Sequence, residues 1–274
     1  MFKGITDRIT VVAEMYPKAI TELEQIFNKP TVIYIDWQNV VHWQETVGCL
    51  FDLKRMKHLF DSFPNVKKVR WYGGTLIGDT KSEQQITEVK RLNYDVSTKP
   101  VKMMQMSIDV SSIPEDSPAI IKSFLKKSLL KKLDIETITF LNRKLKVFNQ
   151  QGILKIEEPK CNFDVEIGRH MLEDYLANEF ENFILWSGDG DFKSSLKHLT
   201  DNGKTIHIFS VAGRVSPEIS ELKPPIYDIR KIKEFICWAR ELPEAVRSKE
   251  AAFLKAKEEA DLNAKGTPEE APQL

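Results

Sequence analysis

The chain has 274 residues, enough for one or two domains with a buried core. Its apolar fraction is 42%, its charged fraction 29%, and 40 Lys and Arg balance 40 Asp and Glu. That balance excludes a globally basic nucleic-acid binder and an acidic disordered chain, and leaves room for a local basic patch set against a local acidic cluster.

Cys49, Cys161 and Cys237 are odd in number and far apart, with no CxxC pair. No disulfide framework is expected, and a reducing cytoplasm is the default setting. The five histidines never fall in a zinc spacing. No apolar run approaches the roughly 20 residues of a spanning helix. Asp7, Arg8 and Glu14 interrupt the apolar core a signal peptide needs. The expectation is a soluble, cytoplasmic protein with no membrane partner.

In chain order, residues 1–30 are predicted as an N-terminal helical segment, with helical spacing over 5–28 and a stop at Asn28-Lys29-Pro30. Thr31 to Asp36 reads as a short, β-branched, buried strand closed by a carboxylate. A helix follows over 51–61, a strand over 66–72 with Gly73-Gly74 after it, a helix over 80–92 capped by Asp79 or Thr80, and a strand over 94–101. Residues 103–158 read as an insertion: a polar loop with Pro114 and Pro118, a basic amphipathic helix, then a β-hairpin of ETITFLNRKLKVF and GILKIEE turning at Asn149 to Gly152. From Lys122 to Lys146 there are eight Lys and Arg against two acids, Asp134 and Glu136.

The strand–helix alternation then resumes: helix 163–178, strand 182–187, helix 191–202 ending at Asn202-Gly203, strand 204–210, a short helix near 216–222, and a last strand and helix over 226–241. Residues 31–242 thus form the main domain, and 243–274 a charged tail, helical and frayed before it becomes disordered. The alternation predicts an α/β fold, a mostly parallel, Rossmann-like sheet with helices on both faces. In such sheets ligands sit beyond the carboxyl ends of the strands.

Asp36 ends the first strand there, and Asp189 and Asp191 follow Ile184-Leu185-Trp186-Ser187. Asp164 stands where the insertion returns to a helix. Gathered together, these four charges repel unless neutralised. Mg²⁺ or Mn²⁺, hard cations that take carboxylate oxygens, resolve the repulsion and can activate water for phosphodiester hydrolysis. Each Asp alone also reads as a helix cap or turn residue, and Gly-Asp-Gly is an ordinary turn sequence. The metal reading rests on their coincidence at strand ends.

These residues carry a family resemblance. Ile33-Tyr34-Ile35-Asp36-Trp37-Gln38-Asn39, Lys160 to Ile167 (KCNFDVEI) and Ile184 to Phe192 (ILWSGDGDF) resemble the motifs of NYN domain proteins, in the LabA-like branch of the PIN-like nuclease fold. Asp201 to Ile206 and Leu92 to Lys102 match further segments. The resemblance covers about 31–240, apart from 103–158. It implies a metal-dependent ribonuclease leaving 5′-phosphate and 3′-hydroxyl ends. Asp36, Asp164, Asp189 and Asp191 would hold the metal, and Asn39 would place a water or a phosphate. Cys161 stands where the family has Gly, Trp37-Gln38 replaces smaller residues, and His170 falls where many members carry another Asp. Histidine is a poor Mg²⁺ ligand.

Lys160, Ser187 and Ser194 are candidate phosphate contacts, with surface charge and helix capping as their ordinary readings. Lys126, Lys127, Lys131 and Lys132 of the insertion could follow an RNA backbone or simply solvate a helix face. Trp37, Trp43 and Trp71 could stack bases or pack in the core. Cys161 reads as a buried, inert thiol or a redox-sensitive one. The expected partner is RNA, single-stranded or structured, and a homodimer is an open option. A catalytically weak RNA-binding regulator on the same fold is the alternative, favoured by His170 and Trp37-Gln38. A haloacid dehalogenase-type phosphatase needs a second Asp where Gln38 stands, and no GxxxxGK[ST] supports a nucleotide triphosphatase.

Overall fold

A computed structural model describes residues 1–107, 109–119, 121, 127–152 and 155–265. The chain divides into two compact units, Met1–Pro100 with Asn162–Leu274, and Val101–Cys161.

The first unit opens on α1 (Asp7–Met15), N-capped by Thr6, and α2 (Pro17–Ile26). The single helix expected over 5–28 is therefore two. Pro17 has no N–H for the ladder and starts the second helix instead of continuing the first. Next come β1 (Thr31–Asp36), the short helices α3 (Trp37–Val40) and α4 (Gln44–Val47), α5 (Leu53–Asp61) and β2 (Val66–Thr75). Gly73 and Gly74 lie inside β2, where Gly73 leaves space for the Trp71 ring. Then α6 (Thr80–Arg91), capped by Asp79, leads to β3 (Asp95–Pro100).

After the second unit the chain continues with α9 (Asp164–Ala177), β6 (Asn182–Trp186), a 3₁₀ turn at Gly190–Phe192, α10 (Lys193–Asp201) and β7 (Thr205–Ser210). The helix expected over 191–202 thus begins as a 3₁₀ turn under the Asp189 cap. The unit closes with α11 (Pro217–Ser220), β8 (Ile226–Asp228), α12 (Lys233–Ile236) and α13 (Glu244–Lys265). The disorder expected at the C-terminus falls on residues 266–274, outside the described residues.

All six strands pair in parallel in the order β3-β2-β1-β6-β7-β8. This is the parallel α/β sheet that the alternation predicts. Alternation along the strands divides the core. Ile33, Ile35, Ile184 and Trp186 join Leu23, Met56 and Phe60 in one cluster. Tyr34 and Phe183 stack 6.3 Å apart on the other side, where the Tyr34 hydroxyl donates to Asp174 of α9. Trp37, Trp43 and Trp71 are buried in the first cluster, so none of them offers a face for base stacking.

Cys49 and Cys237 form a disulfide across 188 residues, contrary to the expectation of unpaired cysteines. The fold makes the pairing: Phe51 and Cys237 meet in an antiparallel bridge that sequence spacing does not reveal. Cys161 is half-buried.

The second unit contains β4 (Lys102–Ser107), α7 (Lys127–Leu130), α8 (Ile135–Gln150) and β5 (Lys155–Lys160). Two expectations change here. The run ETITFLNRKLKVF is helical, capped by Asp134, with Ile138 and Asn142 buried one turn apart. The antiparallel pair is β4 with β5, from Lys102 opposite Lys160 to Ser107 opposite Lys155. The Asn142 amide donates to the carbonyls of Glu115 and Ser117 at 2.6 and 2.8 Å, tying the polar loop to α8. Of the expected basic helix, residues 122–126 lie outside the described residues, as do 153–154 of the second expected strand.

Candidate active site

The chain moves outward from β1 to β3, then returns to place β6 on the opposite side of β1. Between β1 and β6 the strand order reverses, the point in open α/β sheets where ligands bind in a crevice beyond the strands' carboxyl ends. Ile35 is the register partner of Trp186, so Asp36 and Ser187 emerge side by side.

Asp36 is buried, and its carboxylate caps α3 by accepting from the Asn39 N–H at 3.5 Å. The Ser187 hydroxyl donates to its other oxygen at 3.1 Å. Burial pushes the Asp36 carboxyl up to about 6; these two hydrogen bonds oppose the rise, and the charges of Asp164 and Asp189 add to it. Asp164 lies in the first turn of α9, where Asn162 Oδ1 accepts its N–H at 2.7 Å. Its carboxyl is raised too, by burial and by Asp189 and Asp191, against a hydrogen bond from Asn162. Asp189 accepts the Asp191 N–H at 3.2 Å. One carboxylate oxygen from each of Asp164, Asp189 and Asp191 lies within 4.8 Å of the others.

The Gly-Asp-Gly turn is fixed by close packing. A Cβ on Gly188 would lie 1.9 Å from the Arg214 carbonyl oxygen, and one on Gly190 would lie 2.9 Å from a Glu218 carboxylate oxygen. The Ser216 N–H donates to the Gly188 carbonyl at 2.9 Å. The loop after β7 thus presses the turn into place.

The structure therefore brings Asp36, Asp164, Asp189 and Asp191 to one crevice. Among the described residues, no Lys or Arg pairs with any of them. Three mutually close oxygen donors, from Asp164, Asp189 and Asp191, fit a hard divalent cation, and Asp36 lies near enough for the charges of Asp164 and Asp189 to act on it. Asn39 stands one turn beyond Asp36 and half-exposed. Ser187 is fully buried and spent on Asp36 and on the Asp189 N–H, so it orients a carboxylate instead of touching a phosphate. Ser194 is exposed on α10 and lines, with Gly168, Met171 and His198, a cavity of about 280 Å³ between α9 and α10.

His170 points elsewhere. Its Nδ1 lies 2.8 Å from the Tyr72 hydroxyl, and its Nε2 lies 2.9 Å from the Arg169 guanidinium. The Arg169 donation leaves Nδ1–H to face Tyr72. Burial, then Arg70 and Arg169, lower its pKa and hold it neutral at pH 7. Of the candidate lysines, Lys131 and Lys132 are exposed in the second unit, Lys127 begins α7 and Lys160 ends β5. Lys126 lies outside the described residues.

The NYN domain family matches residues 121–223, a span that includes Asp164, Asp189 and Asp191. The "Low amplitude and bright protein LabA" of Synechococcus elongatus is 22% identical over 205 residues, 74% of this chain and 86% of that protein. A crystal structure of a protein of unknown function from Vibrio parahaemolyticus superposes with a TM-score of 0.46 at 17% identity, covering 75% of this chain and 94% of that one. Residues 121–223 are thus similar to the NYN domain family, and the chain is similar to LabA over about three-quarters of its length.

Proposed function

We propose that this protein is a metal-dependent ribonuclease that hydrolyses phosphodiester bonds at the crevice between β1 and β6. The observation that carries the reading is the grouping of Asp164, Asp189 and Asp191, with Asp36 beside them at the reversal of strand order, and no basic partner among the described residues. Without a cation, that crevice repels a polyanion. Mg²⁺ or Mn²⁺ held there supplies charge neutralisation, a polarised phosphate and a water of lowered pKa.

The chain's own residues do the rest. Ser187 and the Asn39 N–H fix both oxygens of Asp36. Asp189 buttresses the turn that presents Asp191. Residues 101–161 hold eleven Lys and Arg against seven Asp and Glu. That basic excess, including Lys127, Lys131, Lys132 and Lys160, gives an RNA backbone its electrostatic attraction.

A cleavage assay on labelled single-stranded and hairpin RNA, with Mn²⁺ or Mg²⁺ against EDTA, tests the reading. The expected result is cleavage that needs metal and disappears in Asp189→Asn. RNA binding without cleavage in either protein would replace it with a regulatory RNA-binding role. Cleavage that survives Asp189→Asn would place the activity elsewhere.

A further inference from the structure

We infer that the cleft between the starts of α5 and α6 and the segment after α12 binds a nucleotide, with the base stacked on Trp238 and the phosphate held by Lys54 and Lys81. Four tryptophans of this chain are buried; Trp238 keeps 39% of its surface exposed. It lines a cavity of about 580 Å³ together with Asp52, Lys54, Lys81, Gln84, Gln85 and Glu88. That volume lies within the range of small-ligand pockets.

The indole is held, not loose. Its Nε1–H donates to the Phe51 carbonyl at 2.9 Å, and its backbone N–H donates to the Leu50 carbonyl at 2.9 Å. The Asp52 N–H donates to Ile236, and the Cys49–Cys237 disulfide joins the same two segments. The Arg240 guanidinium lies 4.1 Å from the indole centroid, so one face already carries a planar cation. A fixed aromatic of this kind stacks a base at little entropic cost.

Opposite it, Lys54, Lys81 and Gln84 are exposed and Gln85 is half-buried, and none of the four makes a side-chain hydrogen bond or ion pair among the described residues. Asp52 and Glu88 line the cleft as well, but neither ammonium group is drawn into an ion pair with them among the described residues, which leaves both to meet a phosphate. Two amides, each both donor and acceptor, suit the edge of a base. Because α5 follows β1 and α6 follows β2, both helices begin at the carboxyl edge of the sheet, the edge that carries Asp36 and Asp189. The inference does not depend on the acidic crevice being catalytic.

The test measures binding in EDTA, where a metal-dependent cleavage is silent. The probes are a fluorescein-labelled ten-nucleotide single-stranded RNA, followed by anisotropy, and 5′-AMP, followed by calorimetry. The expected result is that Trp238→Ala and, separately, Lys54→Ala/Lys81→Ala each weaken binding about tenfold, with melting temperature and circular dichroism unchanged in the lysine variant. Loss for AMP as well as RNA identifies a site for free nucleotides; loss for RNA alone identifies a stretch of an RNA track. Wild-type affinity of both variants for both probes would overturn the inference. So would a lysine effect reproduced by heparin with no effect of Trp238→Ala, since that is a charge patch without a base site.

Discussion

Helix α9 carries two buried or half-buried aspartates with opposite fates. Asp164 opens the helix, and Asp174 lies ten residues on, about 15 Å along the axis. Asp174 is buried, yet its carboxyl stays below the usual range. Burial acts to raise it, and the bonds from Arg70 and Tyr34, with the charge of Lys68, outweigh burial. Arg70 grips it twice, at 2.8 Å from both Nε and Nη2, and Tyr34 donates at 2.7 Å. Asp164 has carboxylates for neighbours and, among the described residues, no cation in an ion pair with it, and its carboxyl is raised. Asp174 is a solved electrostatic problem that joins α9 to the sheet. Asp36, Asp164, Asp189 and Asp191 are an unsolved one, and a divalent ion is the solution they fit.

The comparison breaks first at the paired end. Asp174→Ala leaves the Arg70 guanidinium buried without its main partner, and unfolding free energy should fall by about 3–5 kcal/mol. Chemical denaturation measures it; a loss below about 1 kcal/mol would mean that water replaces the carboxylate and the pair is not structural. The pH sign agrees. A depressed carboxyl stabilises the fold above its unfolded pKa, and that contribution is lost as pH falls through the folded value.

The unpaired end has the opposite sign. Asp36 titrates near 6 in the fold and near 4 when unfolded. Its contribution to stability is complete below the unfolded value and declines as pH rises to about 6. In EDTA, Asp36→Asn should therefore raise stability at pH 7–8 by about 2 kcal/mol, with no gain at pH 4. Thermal melts across pH 4–8 measure it, and a variant less stable than wild type at pH 8 would contradict the sign. Ser187→Ala has the smallest expected effect, a loss of about 1 kcal/mol from the bond to Asp36. Because that bond favours the ionised form, the variant should also move the pH dependence of the metal-free protein upward. An unchanged pH profile would mean that Ser187 does not hold the carboxylate.

The acidic site was legible in the sequence because its parts lie at strand ends and in one compact motif, Ser187-Gly188-Asp189-Gly190-Asp191. Alternating strands and helices made the parallel sheet legible too. The paired end was not. Arg70, Tyr34 and Asp174 are 36 to 140 residues apart, and only the register of β1 with β2 under α9 joins them. The exposed Trp238 was hidden for the same reason, since its cleft depends on the bridge from Phe51 to Cys237. The sequence of α8 reads as a strand because Thr137, Ile138, Thr139, Val147 and Phe148 carry strand preference. The Asp134 cap and the inward turn of Ile138 and Asn142 override it.

The contrast between the two ends of α9 is tested most directly by titrating Mn²⁺ into the protein and counting bound ions by electron paramagnetic resonance. The wild type should bind Mn²⁺ at one or two sites, and Asp189→Asn should weaken that binding at least about tenfold without lowering the melting temperature of the metal-free protein. Failure of the wild type to bind Mn²⁺ at millimolar concentration, or binding indifferent to Asp189→Asn, would contradict the account: the unpaired carboxylates would then be neutralised by protons and not by a metal.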